Sequence, residues 1–117
     1  MRLFVYGTLM DPRWVERLTG RRFPNRPAIL HGWARATGDH GYPVIHPCAG
    51  SAVEGIVLDD IDGPSLRALD AYEDAGRLYA RRPVRAWVAG RSTPCHVYVQ
   101  LPSAREPGDE PRPRSRA

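Results

Sequence analysis

The run Leu3-Phe4-Val5-Tyr6-Gly7-Thr8-Leu9-Met10 constrains the fold more than any other stretch of the chain. Leu3 to Tyr6 reads as a short apolar strand, and it runs directly into an aromatic-Gly-Thr turn. Asp11 is a good helix N-cap and Pro12 suits the first helical position. Trp14, Val15 and Leu18 then form an apolar stripe, and Gly20 ends the helix. A strand that stops at such a turn leaves backbone amides pointing outward, with no partner assigned to them by the sequence. That is the makings of a small anion site.

The remaining elements are mostly strands. Residues Ala28 to Arg35 read as one strand, and Tyr42 to His46 as a short extended segment broken by Pro43 and Pro47. Ser51 to Leu58 alternates and is rich in β-branched residues, so a further strand is expected. Asp62 or Gly63 opens a second helix, with Pro64 in its first turn and Leu66, Leu69 and Tyr72 along it. Tyr79 to Val88 and Thr93 to Leu101 form a hairpin about a turn at Gly90-Arg91-Ser92. Val84, Ala86 and Val88 share a face with Cys95, Val97 and Val99. Strands outnumber the short helices, which predicts an α+β fold whose curved or closed sheet carries two helices.

A chain of 117 residues holds one domain and one core. That domain spans residues 1–101. Residues 102–117 are Pro, Arg, Glu and Asp with almost nothing apolar, which cannot offset the entropy of ordering, so a disordered tail is expected. No apolar run reaches membrane-spanning length and Met1-Arg2 lacks a signal peptide's layout, so a cytoplasmic protein without membrane contact is expected. All the basic residues are Arg, and the formal charge is +4. They are scattered rather than clustered, and no aromatic RNA-binding signature accompanies them, so no nucleic-acid partner is expected. Cys48 and Cys95 are too few for a disulfide scaffold and read as small core hydrophobes. His46 and Cys48 have no second pair at ligand spacing, so no metal site is expected.

One acid stands on the wrong face. Seven residues make nearly two helical turns, so Glu73 lies within about 20° of Leu66, and Leu69 shares that side. Glu73 therefore points toward the core at the C-terminal end of its helix. Burial and the negative end of the helix dipole both disfavour an ionised carboxylate there. Two readings remain open: an ion pair with Arg81 or Arg82, or proton transfer by a carboxyl whose pKa is raised toward neutrality. Asp70 faces similarly and reads as a helix-face acid bonded to backbone or Arg. Tyr6, Tyr42, Tyr79 and Tyr98 read as packing residues with surface hydroxyls. Thr8 has no His or Lys base beside it, and His31, His40 and His96 form no dyad. Neither a phosphate loop nor a dinucleotide fingerprint follows Gly7.

Taken in order, these segments resemble the γ-glutamylcyclotransferase-like superfamily, in particular its AIG2-like branch. The resemblance is carried by Val5-Tyr6-Gly7-Thr8-Leu9, Gly41-Tyr42-Pro43, Val53-Glu54-Gly55 with Val57-Leu58, and Leu69-Asp70-Ala71-Tyr72-Glu73. Tyr79, Arg81, Val84 and Val97-Tyr98-Val99 complete it, so that it spans residues 3 to about 100. It implies a small mixed β-barrel with flanking short helices. It also implies cyclisation of a γ-glutamyl amide to 5-oxoproline with release of the amine, with no cofactor. On the family's pattern the catalytic glutamate matches Glu73. The substrate-binding turn matches Tyr6, Gly7, Thr8 and Leu9, and Tyr79 and Tyr98 fall near the pocket. Asp74 departs from the Gly that often follows the glutamate, and adds a negative charge beside the expected base.

Three functions follow as alternatives. The first is a cyclotransferase acting on a small-molecule γ-glutamyl substrate with Glu73 as general acid/base. The second is a non-catalytic small-ligand binding or regulatory protein of the same fold. The third is an Arg-rich interaction module, which the scattering of the arginines disfavours. The oligomeric state and the identity of the leaving amine are not encoded in these patterns.

Overall fold

Strand β1, Leu3–Val5, is buried along its whole length. A strand with no solvated face must be covered on both sides, and β1 is itself one strand of a closed barrel, none of its residues exposed. The computed structural model describes residues 1–38, 43–76 and 78–101, and the expected tail at 102–117 and Gly41-Tyr42 lie outside them. Chain order is β1, a single 3-10 turn at Thr8–Met10, α1 (Pro12–Thr19), β2 (Asn25–Thr37), β3 (Pro43–Leu58), α2 (Gly63–Glu73), β4 (Tyr79–Val88) and β5 (Arg91–Gln100). The strands close into a barrel in the order β1-β3-β2-β4-β5. Closure comes from β1 lying parallel to β5, with Leu3 opposite His96 and Phe4 opposite Val97; every other pairing is antiparallel. The expected α+β barrel with two short helices is therefore found.

Two expectations about the middle of the chain need correction. Tyr42–His46 and Ser51–Leu58 are not separate segments: Pro43 through Leu58 is one strand, paired with β2 from Asn25↔Leu58 to Thr37↔Pro43. The prolines are tolerated because Pro43 opens the strand and Pro47 lies opposite Trp33, where the register shifts. Gly32 and Gly50, both at φ +84, supply the left-handed backbone near that irregularity. The β4–β5 turn also sits earlier than expected. It is Ala89-Gly90, with φ of +51 and +76, the paired positive values that a tight two-residue hairpin requires.

Gly55 explains the Val53-Glu54-Gly55 motif physically. A Cβ at this position would collide with the Val5 carbonyl oxygen and come within 2.8 Å of Phe4 Cζ. Only glycine lets β3 approach β1 this closely, and that approach sets where β1 ends and the Gly7 turn begins. The shared face of the hairpin is as expected: Ala86, Val88, Cys95 and Val97 are buried, with Val84 and Val99 packed against the core. Cys48 is only half-buried, and its sulfur accepts from Ser51 Oγ at 3.3 Å, so of the two cysteines Cys95 alone is core. Among the described residues, no helix is long and apolar enough to cross a membrane.

Candidate active site

The turn after β1 is held from several directions. Its own hydrogen bonds run from the Met10 amide to the Gly7 carbonyl (3.0 Å) and from the Asp11 amide to the Thr8 carbonyl (3.1 Å). A 3-10 turn closed this way leaves its opening amides without an acceptor inside the turn. Leu9 anchors it by complete burial. The Asp11 carboxylate accepts from the Arg13 amide and so starts α1, as expected of an N-cap. Tyr6 is fixed at both ends. Its phenol donates to the Tyr98 carbonyl at 2.9 Å, and its own carbonyl accepts from an Arg35 Nη at 2.7 Å. Thr8 Oγ1 lies 3.3 Å from the Tyr72 hydroxyl, tying the turn to α2.

Helix α2 presents the acids. Asp62 caps it by accepting from the Ser65 amide, with Pro64 in the first turn. Its buried residues are Ser65, Leu69 and Glu73, spaced four apart on one stripe. Leu66 flanks that stripe and is only half-buried, so the inward face is rotated slightly from the one expected about Leu66. The expectation for Glu73 itself holds: its residue exposure is 0%, at the last position of the helix. Asp74, next to it, adopts the left-handed conformation (φ 55, ψ 51) that ends the helix. This accounts for the departure from Gly, because the site demands a backbone that Gly adopts freely and Asp tolerates better than most residues.

Arg81, one of the two cations offered as a partner for Glu73, is bonded to Asp70. Arg81 Nε donates to Asp70 Oδ1 at 2.7 Å, and the Tyr98 phenol donates to the same oxygen at 2.6 Å. Asp70 is thus the Arg-bonded helix acid anticipated from the sequence. The tyrosines depart from expectation. Tyr6 and Tyr98 are fully buried, hydroxyls included in the hydrogen-bond network rather than left at the surface. Burial pushes the Tyr6 phenol well above its ordinary value, with Tyr79 and Glu73 adding to the shift and Arg35 opposing it. Burial likewise raises Tyr98, then the Asp70 bond and the charges of Asp70 and Glu73. Both remain neutral phenols. Glu73 therefore lies within electrostatic reach of both Tyr6 and Tyr98, and Tyr79 lies within reach of Tyr6.

Tyr79 opens β4 and is buried; its carbonyl accepts from the Gly76 amide at 2.7 Å, which folds the short connection from Glu73 back on itself. The structure thus gathers Tyr6, Glu73, Tyr79 and Tyr98, with Gly7, Thr8 and Leu9 following on from Tyr6. Arg35 was missed by the sequence reading, and nothing in Ala34-Arg35-Ala36 singles it out among so many arginines. A cleft of about 730 Å³ adjoins the turn through Met10 and Arg35 and is walled further by Ile29, Glu54 and Trp87.

Comparison with known proteins places the fold in a family. The chain belongs to the family described as gamma-glutamyl cyclotransferase, AIG2-like, whose model matches residues 3–116. It is 34% identical over 96 residues to AIG2-like protein C of Arabidopsis thaliana, covering 81% of this chain and 55% of that protein. The chain thus spans about half the length of that curated relative. A solution structure of another Arabidopsis thaliana protein superposes with a TM-score of 0.75 at 29% identity, covering 91% of this chain and 71% of that one. A structure described as a gamma-glutamyl cyclotransferase shares the fold, with a TM-score of 0.73 at 16% identity and coverage of 86% and 66%.

Proposed function

We propose that the chain cyclises a γ-glutamyl amide or amine to 5-oxoproline and releases the free amine, with Glu73 as general acid/base. One observation carries this reading: a carboxyl group with no solvent exposure ends α2 within electrostatic reach of Tyr6, the residue that leads into the Gly7 turn. Ionisable groups shut away from water beside a donor-rich turn are common to proton-transfer sites.

The reaction is intramolecular, so positioning does much of the work. The substrate's α-ammonium gives a proton to Glu73, and the freed amine attacks the γ-carbonyl carbon. The tetrahedral adduct then collapses by breaking the bond between that carbon and the leaving nitrogen. Glu73 returns its proton to that nitrogen and takes the second proton from the attacking nitrogen, which becomes the lactam N–H. That second proton then passes to the released amine, which leaves as an ammonium ion. Amides at the Tyr6-Gly7-Thr8-Leu9 turn hold the α-carboxylate or the developing oxyanion. Tyr79 and Tyr98 line the glutamyl end, and the Tyr98 phenol, raised by burial, stays neutral and does not compete for the proton.

A screen of γ-glutamyl amines, γ-glutamyl amino acids and glutathione for 5-oxoproline release tests the proposal. Release from at least one compound, lost on Glu73→Gln, supports it. Silence across the set, with retained binding of 5-oxoproline, would favour a ligand-binding protein built on the same fold.

A further inference from the structure

Arg35 is a cation that reaches the turn from outside its own segment. It leaves β2 and donates to the Tyr6 carbonyl across 29 positions of sequence. Its residue is exposed, and exposed charged contacts contribute little to global stability. The atom it holds is informative. The Tyr6 carbonyl and the Gly7 amide belong to one planar trans peptide, so their C=O and N–H bonds point in opposite directions. Fixing the oxygen on the Arg35 side fixes the amide proton on the other side. The Tyr6 phenol, pinned to the Tyr98 carbonyl, removes the remaining freedom of that residue. A guanidinium on the carbonyl also polarises the peptide and makes its amide a stronger donor.

We infer that Arg35 is a positioning residue: by clamping the Tyr6 carbonyl it aims and strengthens the Gly7 amide as a donor to the carboxylate or oxyanion of a bound glutamyl group. This rests on reading the turn as the donor side of the site. It assigns Arg35 a role distinct from contact with substrate, because its bond is to the far end of the peptide. The same reasoning explains why a strand end that needs only a hydrogen-bonded carbonyl carries a cation at that place.

The test uses the full chain, labelled with ¹⁵N and titrated with 5-oxoproline, in the native form and as Arg35→Met, Arg35→Gln and Arg35→Lys. The Gly7 amide resonance should move on titration of the native protein. Arg35→Met should shift that resonance before any ligand is added and weaken 5-oxoproline binding about ten-fold or more. Arg35→Lys, which keeps the charge, should recover much of the loss. Arg35→Gln, which keeps a neutral donor, should fall between them, with melting temperatures little changed throughout. Equal affinity in all four proteins would overturn the inference, as would a Gly7 amide that ignores 5-oxoproline in the native chain. If Arg35→Met fails to fold, the order of Lys over Gln decides the matter. Native protein that binds 5-oxoproline through Gly7 yet turns over no γ-glutamyl compound would remove the catalytic reading and leave the role of Arg35 intact.

Discussion

Two turns of helix α2 carry acids one turn apart, and they are treated in opposite ways. Asp70, in the middle, has a side chain 24% exposed and accepts from Arg81 and Tyr98 at a single oxygen. Glu73, at the end, has no exposure and lies within electrostatic reach of Tyr6, which leads into the turn that follows β1. The mid-helix acid joins α2 to β4 and β5 through charge-assisted bonds, which is a structural task. The terminal acid shares its surroundings with the phenols of Tyr6 and Tyr98 at the meeting of helix, turn and barrel. The contrast teaches that an acid on an inward face is not by that fact a base; its partners decide.

Neutralising each acid in turn breaks the comparison open. Glu73→Gln should lower kcat for 5-oxoproline release by about 10²–10⁴, the range general acid/base groups contribute. Its melting temperature should stay close to that of the native chain, because the amide keeps the shape of the carboxyl. Asp70→Asn should do the reverse. Weakening two charge-assisted bonds costs about 1–3 kcal/mol of stability by chemical denaturation, with activity within roughly ten-fold of native. Folded Asp70→Asn protein as inactive as Glu73→Gln would move the catalytic role onto Asp70.

Asp74 sharpens the comparison from the helix end. Its left-handed backbone is strained for a residue with a Cβ, so Asp74→Gly should raise stability by up to about 1 kcal/mol. Removing its charge beside Glu73 should also change the pH dependence of turnover, whereas stability alone should change if Asp74 is only a cap.

Much of this arrangement was legible in the chain, and what was not has physical reasons. The caps at Asp11 and Asp62 read correctly because a short acid accepting a nearby amide is a local interaction. Glu73 was legible because helical periodicity places it inward whatever surrounds the helix. The turn at Gly7 was legible from β1 alone. Arg35 was hidden because its partner is a backbone carbonyl on another element, and carbonyls leave no mark in a sequence. The split of roles between Asp70 and Glu73 was hidden for a similar reason: both face inward by spacing, and only the position of β4 delivers Arg81 to one of them. Pro43 and Pro47 misled because a bulged strand accommodates residues that an unbroken ladder rejects.

The smallest effect expected lies at His96 on β5, on the strand face it shares with Tyr98. Burial holds the His96 imidazole below its ordinary value, and the nearby Arg81 guanidinium adds to this. A histidine with a lowered folded pKa binds fewer protons folded than unfolded. The stability it contributes is complete above its unfolded value of about 6.5, and is lost as pH falls through the lowered folded value. Asp11 and Asp62 also have lowered values, from their bonds to Arg13 and Ser65 respectively, but they titrate in the acid range below this window. Melting temperature should therefore decline modestly between about pH 6.5 and 5 in the native chain and more weakly in His96→Gln. Because Arg81 also holds Asp70, His96→Gln in an Asp70→Asn background probes whether that guanidinium has moved. If it swings away from His96 when released, the imidazole regains protons more easily and the slope attributable to His96 shrinks. An unchanged slope would mean that Arg81 is held in place by the strand rather than by its acid.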